Sequence, residues 1–143
     1  MVVEPMRRRE FITLLCGATI AWPHAARSEQ AGSALRIGIL SPLSSSEITS
    51  PPFEAFRKAL RDFGYLEGKN INFVYRWADG SHERLGEFAA ELVNSKVDII
   101  FSAPGTPTAI AARNATVAIP IVFAGAGDVV GAKLVASLAR PGG

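Results

Sequence analysis

The strongest constraint on the fold of this chain is a change of hydrophobic period that recurs along it. Three short runs, LRIGIL (35–40), VDIIFS (97–102) and IPIVFA (119–124), are continuously apolar and rich in β-branched side chains. Strands that read this way are buried on both faces, as in parallel sheets. A fourth run, INFVYRWA (71–78), mixes apolar and polar positions and suits an edge strand with one wet face. Between the runs the spacing becomes helical. In SPPFEAFRKALRDFG, Phe53, Phe56, Leu60 and Phe63 share one stripe while Glu54, Arg57, Lys58 and Arg61 face water. Ser50 is the expected cap, Pro51 opens the first turn and Gly64 ends the helix. In SHERLGEFAAELVNS, Leu85, Phe88, Ala89, Leu92 and Val93 follow the i, i+3, i+4, i+7, i+8 pattern behind a cap at Ser81. TPTAIAARNAT is expected to start with Thr106 as cap and Pro107 in the first helical position, and DVVGAKLVASLAR to form a fourth helix capped by Asp128. The order β-α-β-α-β-α-β-α, with crossovers long enough to require parallel strands, predicts an α/β fold with a doubly wound parallel sheet.

In open parallel sheets ligands bind beyond the carboxyl ends of the strands, where loops meet helix N-termini with unpaired N–H groups. Three loops qualify: SPLSSSE after the first strand, SAPGTPT after the third and AGAGD after the fourth. Their glycines and small hydroxyl residues let a ligand approach the backbone, a surface suited to carboxylates and polar small molecules. Taken singly, each of these residues is also the turn or cap residue that a short βα loop requires. Trp77, at the carboxyl end of the edge strand, either stacks on a ligand ring or covers an exposed sheet edge; both readings stay open.

Other chemistries find little support. GAGDVVG (125–131) follows a strand, but its third glycine is one place late for a dinucleotide fingerprint, and it lies in the fourth βα unit rather than the first. No serine sits in a G-x-S-x-G elbow, so Ser41, Ser44 and Ser102 are hydrogen-bonding candidates rather than nucleophiles. His82 has no partner histidine or cysteine for a metal site, and Asp128 reads as a cap. No cofactor and no catalytic residue are expected. An exported Rossmann-like enzyme or cofactor-binding protein is the alternative, and a non-functional truncated product is another.

The first 28 residues read as an export signal. RRR precedes the apolar stretch FITLLCGATIAW, which is shorter than the roughly 20 residues a bilayer span needs. Ala26 and Ser28 then occupy the minus-three and minus-one positions of a cut after Ser28. Arg8 and Arg9 with Phe11 and Ile12 also fit the twin-arginine pattern, so Sec and twin-arginine routes both remain open. Cys16 is the only cysteine and lies within this leader, leaving the mature chain no thiol. Arg7, Arg8, Arg9 and Arg27 carry the excess charge; from Glu29 onward there are 11 basic and 11 acidic residues. The alkaline pI therefore gives no basic patch on the folded part, and nucleic acid is not an expected partner. Nothing after Trp22 reaches the length of a membrane span, so a soluble protein is expected after cleavage.

RRREFITLL, RIGIL, FRKALRDFGYLEGKNINFVYRWADG, RLGEFAAELVNSKVDII, TPTAIAARNAT, IPIVFA and GAKLVASLARPGG, in that order, resemble the substrate-binding components of ABC transporters related to the tryptophan-uptake binding proteins. The resemblance runs from the leader to Gly143. It implies a type I periplasmic-binding fold in which two α/β lobes close on a small molecule, with aromatic amino acids as ligands of some members. It also implies a periplasmic monomer that delivers its solute to a membrane permease with its ATPase. The ligand-facing positions it implies are Ser41, Pro42, Leu43 and Ser44 in the first loop, and Ser102, Ala103, Gly105, Thr106 and Thr108 in the second. Ala124, Gly125 and Asp128 follow in the third, with Trp77 beside them. The family pattern has a proline after the aspartate of that third loop, where this chain has Val129. On this reading residues 29–143 are most of an N-terminal lobe, the second lobe is absent, and the closing PGG marks a cut before the next strand.

Overall fold

The computed structural model describes residues 34–139. The expected leader, with Cys16 and the cut after Ser28, lies outside them. The elements are β1 (Leu35–Ser41), a short 3₁₀ helix (Ser45–Thr49), α1 (Pro51–Asp62), β2 (Ile71–Trp77), α2 (Arg84–Asn94), β3 (Ile99–Ser102), α3 (Thr106–Ala115) and β4 (Ile121–Phe123). The four strands form one parallel sheet in the order β2-β1-β3-β4. β2 lies at one edge, as its mixed pattern requires; β4, expected from its apolar run to be buried on both faces, forms the other edge of the described sheet and leaves Val122 exposed. A hydrogen-bonded neighbour on each side leaves β1 with five consecutive buried residues.

Strand alternation divides the core in two. Ile37, Ile39, Phe73, Tyr75, Trp77 and Phe101 point toward α1, which answers with Phe53, Phe56 and Leu60. Leu40, Val74 and Ile100 point to the opposite layer, where Leu85, Phe88, Ala89 and Leu92 of α2 and Ala112 of α3 enclose them. Burying a side chain such as Leu40, Leu92 or Ile100 stabilises by about 1.5–3 kcal/mol, so this second layer carries much of the fold.

Helix ends follow local chemistry. Gly64, at φ 85°, closes α1: its N–H donates to the Arg61 carbonyl and that of Tyr65 to the Leu60 carbonyl. Ser50 occupies the α1 cap position without a side-chain cap bond. Ser81 opens a turn before α2 instead of capping it, its carbonyl accepting from Arg84 N–H at 3.2 Å. Gly105, at φ 98°, takes the cap position of α3, and Thr106 becomes the first helical residue.

The expected fourth helix does not extend through 128–139, which form turns. Asp128 does open a helical turn, its Oδ1 accepting from Gly131 N–H at 2.7 Å and its carbonyl from Ala132 N–H at 3.0 Å. Lys133 then adopts φ 55°, and the N–H groups of Lys133 and Leu134 fold back onto the Val130 and Val129 carbonyls, a helix stop after one turn. Arg113 of α3 donates to the Lys133 carbonyl, an acceptor that a continuing helix would use internally. Leu134 and Val135 are thereby buried.

Candidate functional site

Parallel register brings the carboxyl ends of the strands to one edge of the sheet. Ser41 pairs with Trp77, Leu40 with Ser102 and Ser102 with Phe123, so all the loops expected to matter leave on the same side. Backbone hydrogen bonds then tie neighbouring loops together. Ala78, Asp79 and Gly80 N–H donate to the carbonyls of Ser41, Leu43 and Pro42. Ala103 N–H reaches the Leu40 carbonyl at 3.1 Å and Ala124 N–H the Ser102 carbonyl at 3.0 Å. Thr106 Oγ1 accepts from Gly127 N–H at 3.1 Å and joins the second loop to the third. Gly125 stands at φ 68°, a left-handed conformation that favours glycine, and a Cβ there would lie in contact with Pro104 Cβ at 3.4 Å, which marks where the two loops meet.

A cavity of about 530 Å³ opens at this edge, on the α1 side of the sheet. Its floor is Ile39, Ser41 and Phe101; Leu43, Glu47 and Ser50 line it from the first loop; Pro52, Phe53 and Phe56 line it from α1. Trp77, Ala103, Pro104, Ala124 and Gly125 complete it. Its aromatic walls are braced by one another. Phe56 stacks on Phe101 with centroids 4.5 Å apart, and Trp77 stacks on Tyr75 at 5.7 Å while meeting the Phe53 ring edge-on at 6.3 Å. The Trp77 indole thus packs on the rings of the sheet edge and borders the cavity. Glu47 is the one ionisable side chain of the lining.

The expected site residues separate into three groups. Ser41, Leu43, Trp77, Ala103, Ala124 and Gly125 border the cavity. Pro42, Ser44, Gly105, Thr106 and Asp128 belong to the loops around it and hold their shape: Ser44 Oγ lies 2.5 Å from Ser46 Oγ, and Asp128 caps the turn described above. Ser102 and Thr108 are fully buried elsewhere. Phe101 faces the cavity, so alternation turns Ser102 to the opposite layer, where its hydroxyl is buried with no hydrogen-bond partner. Thr108 Oγ1 donates back to the Pro104 carbonyl at 3.0 Å and supports the start of α3. Ser50, Phe53, Phe56 and Phe101 escaped the loop-based reading, and Glu47, the last residue of SPLSSSE, lay within the first loop without being singled out. The helical stripe marks Phe53 and Phe56 as core, and the length of the first loop was the one signal that more of it faces the cavity.

The hydroxyl of Ser41 is also committed, accepting from Leu43 N–H at 3.2 Å. Below the cavity, the Tyr75 phenol is pushed up to about 12 by burial, with the Glu67 carboxylate adding to the shift and Arg57 opposing it. Among the described residues, no three His, Cys, Asp or Glu side chains group as metal ligands would. No helix among them is long and apolar enough to cross a membrane.

Comparison with known proteins adds a family to this geometry. Residues 36–143 match the family model of the ABC transporter substrate binding protein. A tyrosine-binding protein of Clostridioides difficile is 42% identical over 90 residues, which are 63% of this chain and 26% of that protein. Among solved structures, the ligand-free, open form of a substrate binding protein with adhesive properties from Clostridium difficile superposes with a TM-score of 0.65 at 33% identity. That match covers 73% of this chain and 35% of the other. An ABC domain in complex with L-Trp from Streptococcus pneumonia gives a TM-score of 0.68 at 25% identity, over 78% of this chain and 37% of that one. The chain thus spans between about a quarter and just over a third of the length of these relatives.

Proposed function

The chain belongs to the ABC transporter substrate binding protein family, and on that premise we propose that it binds a small organic solute, an aromatic amino acid, for an ABC importer. The observation that carries this reading is the cavity at the carboxyl edge of the sheet, where Phe53, Phe56, Trp77 and Phe101 provide a ring-sized apolar wall beside loops of small residues. A planar ring stacks or packs edge-on against such walls. The polar end of the solute is held by main-chain groups of the loops at Ser41–Ser44, Ala103–Thr106 and Ala124–Asp128, whose Ser41, Ser44 and Thr106 hydroxyls keep the loops in shape while Ser102 and Thr108 support them from below. The ligands of two relatives, tyrosine and L-Trp, favour the same class.

The work of such a protein is binding, with no bond made or broken. It acts as a periplasmic monomer after loss of the leader, and ligand-dependent closure against a second lobe shifts the population toward the form that the permease and its ATPase recognise. Tight retention of a small molecule requires that most of its surface be enclosed, so the described lobe by itself supplies one wall and weak affinity.

Trp77 provides the test. L-tyrosine added to the full chain in the millimolar range shifts tryptophan emission and raises the melting temperature, and the Trp77→Phe variant loses the emission response. Absence of both signals with L-tyrosine and with L-phenylalanine would refute the assignment.

A further inference from the structure

We propose that Glu47 selects solutes carrying an ammonium group, an inference that rests on the small-solute reading above and adds a charge requirement to it. Glu47 sits in the 3₁₀ helix between β1 and α1, whose backbone is fixed on both sides of it. Its N–H donates to the Ser44 carbonyl at 3.1 Å, and its own carbonyl accepts from Ser50 N–H at 2.9 Å. Thr49 Oγ1 donates to the Ser46 carbonyl at 3.0 Å and tightens the same turn. The residue is thus held at the cavity wall by its main chain, which leaves the carboxylate to do something else.

That carboxylate differs from the others on the α1 side. Glu54 and Glu67 both pair with Arg57, and Asp62 pairs with Lys58. Glu47 takes part in no ion pair among the described residues, and no lysine or arginine lines the cavity. Its charge is therefore left uncompensated beside an apolar, aromatic space. A solute that covered it with apolar or anionic atoms would strip water from a charged group and return nothing. An ammonium group returns charge-assisted hydrogen bonds, which are about twice as strong as neutral ones.

Two neighbouring features act in the same direction. Helix N-termini ordinarily favour anions, but α1 begins with Pro51 and Pro52, which have no N–H, so its first turn offers two fewer donors to an anion. The Phe53 and Trp77 rings border the same space, and aromatic faces attract cations. The Glu47 side of the cavity is accordingly a cation-selecting end, and an anionic group of the same solute belongs at the loops of α3 and β4.

Three probes that share one phenol ring separate the contributions: L-tyrosine, tyramine and 3-(4-hydroxyphenyl)propionate. Titration of the ¹⁵N-labelled full chain, followed by amide shifts, reads even weak dissociation constants, and the unchanged spectrum of distant residues reports that Glu47→Gln is folded. The variant is expected to weaken tyramine and L-tyrosine about tenfold while 3-(4-hydroxyphenyl)propionate changes by less than about twofold. Equal loss of all three probes, or undiminished amine binding by Glu47→Gln, overturns the selection by Glu47. If the unaltered chain binds none of the three, the small-solute reading itself falls. Binding of all three with no effect of the substitution removes the charge requirement alone.

Discussion

Gly38 lies in the middle of β1 at a negative φ, so backbone freedom does not explain it; space does. A Cβ placed there would stand 3.1 and 3.2 Å from the two Leu92 methyls and 3.2 Å from Val97 Cγ2. These distances are a few tenths of an ångström shorter than ordinary carbon contacts. Leu92 is fully buried and Val97 nearly so, which leaves neither a free direction in which to yield. Gly38→Ala should therefore cost about 1–3 kcal/mol through overpacking. Leu92→Ala should cost about 2–5 kcal/mol through the cavity it leaves. Combined, the two changes partly cancel, because the new methyl enters the space that Leu92 vacated. The double variant is expected to be more stable than additivity predicts by about 1 kcal/mol or more, with Val97 retaining some crowding. Urea unfolding followed by circular dichroism measures all four corners of the cycle. With a slope of about 1–3 kcal/mol per molar, each of these effects moves the midpoint by a readable fraction of a molar unit or more. Additivity to within about 0.5 kcal/mol would show that Leu92 does not occupy the space over Gly38, and the account of the α2 layer would be wrong.

Two further predictions concern the opposite layer and the loops. The Tyr75 phenol is raised from 10.0 to about 12 in the folded chain, chiefly by burial, so its contribution to stability is complete below pH 10 and is lost as pH rises toward 12. Tyrosinate absorbance should show a late-titrating group that disappears in Tyr75→Phe; absence of any late-titrating group in the unaltered chain would contradict the burial of Tyr75. Thr106→Val removes the acceptor of Gly127 N–H while preserving shape, and should cost about 0.5–1.5 kcal/mol. The local readout is faster hydrogen exchange at Gly127, and unaltered protection there would mean that Thr106 does not join the two loops.

The period changes in the sequence were sufficient to identify four strands and the first three helices, because each amphipathic stripe or buried apolar run has only one way to hide from water. Local signals at Gly64 and Pro51 placed the ends of α1 for the same reason. DVVGAKLVASLAR was read as a fourth helix from its Asp128 cap, yet its end is decided by Lys133 turning left-handed and by Arg113, 20 residues earlier, donating to the Lys133 carbonyl. A contact of that kind leaves no trace in local periodicity.

For the site, the sequence by itself determined which edge of the sheet bears it, since parallel βα units always deliver their carboxyl-end loops to one side. It also determined the small-residue character of those loops, which belongs to turn chemistry. Only the tertiary structure decided which side chains face the cavity. Strand alternation combined with interstrand register turned Phe101 toward it and Ser102 away, and the packing of α1 brought Phe53 and Phe56 from the core stripe to the wall. Glu47 acquired its position in the same way, because the 3₁₀ helix folds the first loop back over the aromatic face. Pairings of this kind join residues far apart in the chain, and their geometry exists only once the layers have packed.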